Sequence, residues 1–372
     1  DPSHIALRDI RMGIDSVMYY GRDMNAVIRE FSMYERSGLS VTSLTGRLFA
    51  DSTVIRIPSL KLLTPHSEMN FTAQTYWELI NIPTTGRLTA RFNARIGKQD
   101  VLLFAGGLPE TFKEAYPFRP LVIHAGTEGN LKQMQISRFT AELPGAFSLN
   151  GGGEFWNLTD SVKRNGNMDF EMHTQNLNFL TGLADIAPDG SIIVPDSMHL
   201  AARVGMEGTQ CTAALKLLEK EGVLNLDAAY NLATEAYHAD LAINNLQVHH
   251  FLPKDSIYTL TAKMSAKGQG VDVASRKTVA ALNASLEKLQ YGHWDISGVE
   301  AHAGLKSSVA TVRLASDNVL LKMQGNADMR LDRSYLDGAL DLNVEEVNLH
   351  KLGLVPRPLK HPFAFTMGAE AR

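Results

Sequence analysis

Twelve histidines are the side chains best suited to bind an ion or move a proton in this 372-residue chain, and their spacing favours neither role. HExxH, HxH and Cys-His spacings are absent. His249 and His250 are adjacent on what reads as a strand end, which would send their rings to opposite faces and keep them from sharing one metal. His293-Trp294 with His302 reads as strand, turn, strand. The single cysteine, Cys211, excludes an internal disulfide framework and any multi-cysteine metal site. In an apolar strand it reads as a filler of the interior. Gly151-Gly152-Gly153 could cradle a phosphate, but no Lys-Ser/Thr follows and no helix pattern supplies a dipole, so a bulge or tight turn is expected. No GxSxG elbow or Walker loop appears in a plausible context. Asp185 and Asp189, like Glu345 and Glu346, are turn acids with no apolar pocket to raise a carboxyl pKa. Arg87, Arg91 and Arg95 share one strand face, which a solvated outer surface explains better than an anion site. The expectation is a protein without catalytic residues, cofactor or resident metal, and not an enzyme.

Composition narrows the partners. Thirty-six basic residues against 40 acidic ones give a net charge near −4, so no long-range field favours nucleic acid. Aromatic and basic residues are not interleaved as a single-strand platform requires. No apolar run approaches the roughly 18 residues that span a bilayer as a helix.

What organises the chain is alternation. Leu88, Ala90, Phe92, Ala94 and Ile96 face one way, with Thr89, Arg91, Asn93 and Arg95 between them, the period of a strand with one dry face. The same rhythm runs through residues 1–20 and 26–63, although Val27, Phe31 and Tyr34 would also share one face of a rival helix over Asn25–Glu35. Pro58 is compatible with a bulge or a strand edge. Leu215–Leu232 reads as a hairpin turning at Glu221-Gly222, with Leu224, Leu226, Ala228 and Tyr230 on one face. Ala310, Val312 and Leu314 are followed, across an Asp317-Asn318 turn, by Val319, Leu321 and Met323, and later by Leu340, Leu342 and Val344. Leu108–Tyr116 predicts one or two turns of helix, and Asn178–Asp185 and Leu349–Leu354 similar short excursions.

The strands also repeat. LVIHAGTEG at Leu121–Gly129 aligns with LAARVGMEG at Leu200–Gly208, and weaker copies stand at Leu260–Gly268 and Phe363–Ala371. The glycines of these copies read as bends or bulges. A companion pattern precedes three copies: FEMHTQNLNFL from Phe170, LAINNLQVHHFL from Leu241, and LDLNVEEVNLHKL from Leu340. Each is a strand, a polar break at Asn or Glu, and a second apolar pair. The predicted fold class is all-β: an elongated antiparallel sheet folded into a groove, a repeating β-groove with a few short helical turns. Approximate units are 1–80, 81–165, 166–235, 236–335 and 336–372.

An amphipathic sheet without a covering layer must close on itself or fold into a trough. A trough would offer its apolar lining to a ligand, and an acyl chain of some fifteen methylenes gains on the order of 10 kcal/mol there at about 0.8 kcal/mol per methylene. The candidate lining comes from the dry faces of the clearest strands. In the first half these are Leu88, Ala90, Phe92 and Ile96, Leu121 and Ile123, and Leu200, Val204 and Met206. In the second half they are Leu224, Leu226 and Tyr230, Leu241 and Ile243, Val312 and Leu314, Leu321 and Met323, and Leu340 and Leu342. Two other classes remain open: a closed β-sandwich array acting as a structural or adhesive protein, and a β-rich hydrolase or sugar-binding protein.

The segment FSMYERSGLSVTSLTGRLFADSTVIRIPSLKLLTPHSEM, Phe31–Met69, resembles the AsmA/TamB-type envelope proteins, in particular their long TamB-like members in Bacteroidetes-type bacteria. A strand ends in Glu-x-Ser-Gly-Leu at Glu35–Leu39, and an apolar strand ends in Thr-Pro-x-Ser at Thr64–Ser67. IGKQDVLLFAGGLP, Ile96–Pro109, is similar to that family's internal repeats. The resemblance implies a periplasmic β-groove that shields phospholipid acyl chains between inner and outer membranes and supports outer-membrane assembly. It also implies an inner-membrane anchor and a domain for an outer-membrane assembly barrel protein, both outside these residues. It carries over no catalytic residue.

Overall fold

The computed structural model describes residues 7–36, 38–104, 107–184, 190–273, 275–331 and 336–371. Ile5, Asp185 and Asp189 lie outside them. The chain divides into two compact units, Asp1–Gly208 and Thr209–Arg372.

The first unit opens with strands Leu7–Tyr20 (β1), Asp23–Glu35 (β2), Ser40–Val41 (β3), Ser43–Ala50 (β4), Val54–Leu63 (β5) and Glu68–Tyr76 (β6). Then come Leu88–Ile96 (β7), Leu121–Gly129 (β8), Gln133–Leu143 (β9), Phe147–Trp156 (β10), Asn165–Thr174 (β11) and His199–Glu207 (β12). Its helices are short: Trp77–Asn81 (α1), Lys98–Phe104 (α2), Glu110–Ala115 (α3) and a 3-10 segment, Asn178–Ala184. Asn25–Glu35 is strand, since β2 pairs with β1 on one side and with β3 and β4 on the other.

The second unit contains Gln210–Glu219 (β13), Gly222–Asn231 (β14), Ala236–Gln247 (β15), Ile257–Gln269 (β16), Val279–Tyr291 (β17) and Trp294–Ile296 (β18). Val299–Lys306 (β19), Val309–Asp317 (β20), Leu321–Leu331 (β21), Leu336–Val347 (β22) and Phe363–Ala371 (β23) complete it. In both units neighbouring strands pair antiparallel, mostly through tight hairpins, as the alternation predicts. Among the described residues no ladder joins β1 to β12 or β13 to β23, so neither unit closes into a barrel.

All four copies of the repeat are strands: β8, β12, most of β16, and β23. Gly126 sits where the β8–β9 register slips. Gly129 takes φ 124°, and a Cβ there would come within 2.1 Å of the Gln133 carbonyl oxygen. The polar breaks of the companion pattern are bulges in two cases, between Ile243 and Leu246 of β15 and between Val344 and Val347 of β22. Pro58 falls in another, between Ile57 and Leu60, where its missing N–H costs no ladder bond.

The triple glycine needs a correction of place. Gly151, Gly152 and Gly153 run straight through β10, and the extra residue lies opposite them on β9, between Ile136 and Phe139. Their smallness is required by close approach: a Cβ on Gly153 would stand 2.2 Å from the Asn167 carbonyl oxygen, and one on Gly151 2.9 Å from the Phe170 ring. The β13–β14 turn is one residue earlier than expected, at Lys220-Glu221. Lys220 takes φ 49°, and Gly222 is already in the strand against Leu246.

Glu110–Ala115 and Asn178–Ala184 are the predicted helical excursions. Residues 349–354 form hydrogen-bonded turns instead, through Leu352 N to Asn348 O and Leu354 N to Leu349 O. The two helices without a sequence-based prediction, α1 and α2, are five and seven residues long. None of the described helices is long and apolar enough to cross a membrane.

Candidate functional site

The ladder registers assemble the alternating residues into rows that cross the strands. In the first unit one row is Leu60, Phe71, Phe92, Ala125, Phe139, Gly151, Phe170 and Ala202. A parallel row is Met69, Ala94, Ile123, Ala141, Leu149, Met172 and Leu200. Leu88, Ala90, Val204 and Met206 fall in two further rows of the same face. Gly151 stands between Phe139 and Phe170, where a side chain would collide with the second ring.

The second unit repeats the design. One row is Leu226, Leu241, Met264, Ala284, Ala301, Leu314, Gly325, Leu342 and Met367, nine strands across. At about 4.8 Å per strand it measures ~38 Å along the sheet. Rows led by Leu224 with Ile243 and by Ala228 with Ala239 flank it, the second passing through Leu282, Val312 and Leu340. Cys211 pairs with Tyr230 on this face and is half-buried. Leu241, Ile243, Ala262, Met264, Leu286 and Val299 are among the walls of a hollow of ≈150 Å³.

The candidate lining therefore falls entirely on these two apolar faces. Val204, Val312 and Leu340 are exposed, the others half-buried, and none is buried. The opposite faces carry charge: Lys61 pairs with Glu68 at 2.7 Å, Arg203 with Asp169 at 2.5 Å, and Lys263 with Glu287 at 2.5 Å. Arg91 and Arg95 are exposed there, and Arg87 pairs with Glu128.

One end of the first unit's apolar face is covered. Phe112, Tyr116, Leu143, Ala146, Leu177 and Phe179 form a buried cluster, with Val101, Leu102, Leu121, Phe147 and Met172 packed against it. The rings of Phe112, Tyr116 and Phe179 lie 5.5 to 5.8 Å apart, tilted or edge-on. Leu121 thus belongs to this covered end.

Polar groups hold the cover in place. Asp100 of α2 accepts hydrogen bonds from Thr64 Oγ1 at 2.5 Å and from Ser67 Oγ, and Ser67 Oγ in turn accepts one from Gly97 N at 3.0 Å. The Thr-Pro-x-Ser signature is therefore a clasp for α2. Lys98 Nζ donates to the carbonyls of Tyr116 at 2.8 Å and Glu114 at 3.2 Å, at the C-terminal end of α3, where the helix dipole favours a cation. Burial pushes the Tyr116 phenol above its ordinary pKa.

Two side-chain clusters escaped the sequence reading. His249 and His250 lie in a 3-10 turn, Val248–His250, and their ring centroids are 4.1 Å apart. The opposite-face expectation fails because period-two alternation ends with the strand. His250 Nδ1 donates to Glu219 Oε1 at 2.7 Å; Glu219 is 1% exposed, and its Oε2 has no partner among the described residues. The second cluster is Glu171, His173 and His199. His173 pairs directly with His199 across β11 and β12, their rings stack with centroids 4.5 Å apart, and His199 Nε2 is 2.9 Å from Glu171 Oε1. A Glu-x-His spacing on a strand was the available signal, but its partner lies 26 residues on and is found only through the register. His302 stands opposite Asn283 in mid-strand, bonded to it at 2.8 Å, away from His293 in the β17–β18 turn.

No protein-family model, curated protein or solved structure matches this chain.

Proposed function

We propose that the two apolar faces are lipid-binding surfaces, and that the protein is a β-groove scaffold of a diderm cell envelope that shields phospholipid acyl chains in the periplasm. One observation carries this reading: three apolar rows cross the second unit, yet its only buried apolar residues among those described are Leu305, Leu320 and Val344. A sandwich core would bury such rows against a second sheet about 10 Å away. Left half-exposed, they form an apolar patch far larger than single surface leucines require. Acyl chains suit it, because they need burial and no directed hydrogen bond, and the rows offer none. The resemblance to AsmA/TamB-type proteins agrees with this chemistry and adds an outer-membrane assembly barrel protein as partner.

Lipid extracted from protein expressed in a membrane-containing host should contain phospholipid by mass spectrometry. Photo-crosslinkers at Phe92 and Leu226 should capture it, while crosslinkers at Arg91 and Asn225 on the opposite faces should not. Protein free of lipid, with crosslinks from Phe92 and Leu226 only to other proteins, would replace the lipid reading with an adhesive one.

A further inference from the structure

We propose that Glu171, His173 and His199 bind one divalent transition-metal ion, Zn²⁺ by the chemistry of the donors. The site is independent of the apolar faces, since all three side chains belong to the polar side of β11 and β12. Glu171 and His173 are two residues apart on β11 and so point the same way, and His199 is the direct cross-strand partner of His173. One ligand atom from each lies within 4.8 Å of the other two.

A tetrahedral ion with bonds of about 2.1 Å places its ligand atoms ~3.4 Å apart. Glu171 Oε1 stands 2.9 Å from His199 Nε2 and 4.0 Å from His173 Nε2. The two distances bracket the required one. Two imidazoles and a carboxylate are borderline N,N,O donors, which suit Zn²⁺ over the harder Mg²⁺ and Ca²⁺. With Glu171 and His173 exposed and His199 partly so, at least one coordination position is left to water.

The neighbouring backbone fixes this geometry. Thr174 and Met198, both buried, exchange three hydrogen bonds: Thr174 N to Met198 O at 2.9 Å, Thr174 Oγ1 to Met198 O at 3.3 Å, and Met198 N to Thr174 Oγ1 at 2.9 Å. The two histidines therefore flank the neck of the 175–198 excursion on a register that cannot slip without breaking a buried network. An ordinary surface ion pair between Glu171 and His199 would explain their 2.9 Å contact. That pair leaves out the second imidazole, whose ring stacks on the first with centroids 4.5 Å apart and whose Nε2 stands 4.0 Å from the same carboxylate oxygen. A bound cation satisfies all three groups and clamps the neck.

The full chain, stripped with a chelator and titrated with ZnCl₂ by calorimetry, should bind one ion at this site, and Co²⁺ in its place should show tetrahedral d–d absorption. His199→Ala and Glu171→Gln should each weaken Zn²⁺ at least about tenfold, and the double variant His173→Ala/His199→Ala should lose the Co²⁺ bands. Zn²⁺ should raise the thermal unfolding midpoint of the unaltered chain but not of the double variant. Zn²⁺ binding of unchanged affinity and stoichiometry in the double variant, or no binding by the unaltered chain, overturns the site. Should a variant fail to fold, carbethoxylation of the unaltered chain decides. Protection of His173 and His199 by Zn²⁺ supports the site, and equal labelling with and without the ion overturns it.

Discussion

The covered end of the first unit and the bare face of the second are built from the same strand rhythm and differ in what lies on top. Over Leu143 and Phe147, two short helices and a 3-10 segment bring Phe112, Tyr116, Leu177 and Phe179 down onto the sheet, and Leu143 is 1% exposed. Along β16 to β20 no such layer arrives among the described residues, and Met264 and Val312 remain 42% and 43% exposed. The same kind of residue is thus a stability element in one place and an available surface in the other. Burial separates the two, and a ligand can compete only for the second.

That contrast can be broken by mutation. Phe112→Ala at the covered end should cost about 3–5 kcal/mol in urea unfolding, because it opens a cavity among rings. Met264→Ala on the bare face should cost under about 1 kcal/mol, since much of its surface is already wet. Equal losses at the two positions would mean that the second face is covered in solution. Next in size is Gly182→Ala. A Cβ at Gly182 would meet the Phe112 backbone at 2.5 Å, so the 3-10 segment must shift from α3, at about 1–3 kcal/mol. Ser67→Ala removes the hydroxyl that joins Asp100 to Gly97, and should lower stability by a similar ~1–3 kcal/mol through a buried carboxylate left underbonded. The matching change on the bare face, Leu226→Ala, should reduce lipid capture with little effect on unfolding.

The smallest effects are those of pH. Tyr116 is held neutral by burial, so its contribution is intact below the ordinary tyrosine range and is lost as pH rises through the raised pKa. Alkaline titration followed by tyrosinate absorbance should show one phenol ionising late, together with loosening of the covered end. Asp51, in the β4–β5 turn, has a lowered pKa, first through the Thr53 hydroxyl and then through the backbone N–H groups of Thr53 and Val54. Its contribution is present above the ordinary carboxylate range and fades as pH falls through the lowered pKa. Asp51→Ala should flatten that acid limb slightly.

The faces were legible in the sequence because alternation alone assigns them: Leu88, Ala90 and Phe92 needed no partner strand to be placed together. Polar interruptions at Asn244-Asn245 and Glu345-Glu346 were visible as breaks in a period of two, but only the ladders make them bulges, and Glu345 and Glu346 lie within β22 and not in a turn. The cover was legible in part: Leu108–Tyr116 and Asn178–Asp185 read as helical turns, whereas α2 and the packing of all three on the sheet did not. KQDVLLF carries no helical period, and its helix is secured by two buried polar residues, Lys98 and Asp100, whose partners lie 16 to 36 residues away. The histidine cluster stayed hidden because it depends on where the chain returns after a long excursion, which the Thr174–Met198 network decides and composition does not.

The hairpin order has a consequence for how the protein is made. Each ladder within a unit joins strands that are consecutive in the chain, or that skip only the short β3 or β18. Pairings so local in sequence carry a low loop-closure cost and favour rapid folding. Sheet can therefore grow by one hairpin at a time as the chain emerges, each new strand using the last as its template. A chain cut at a turn such as Lys220-Glu221 would forfeit one strand interface and keep the ladders already formed.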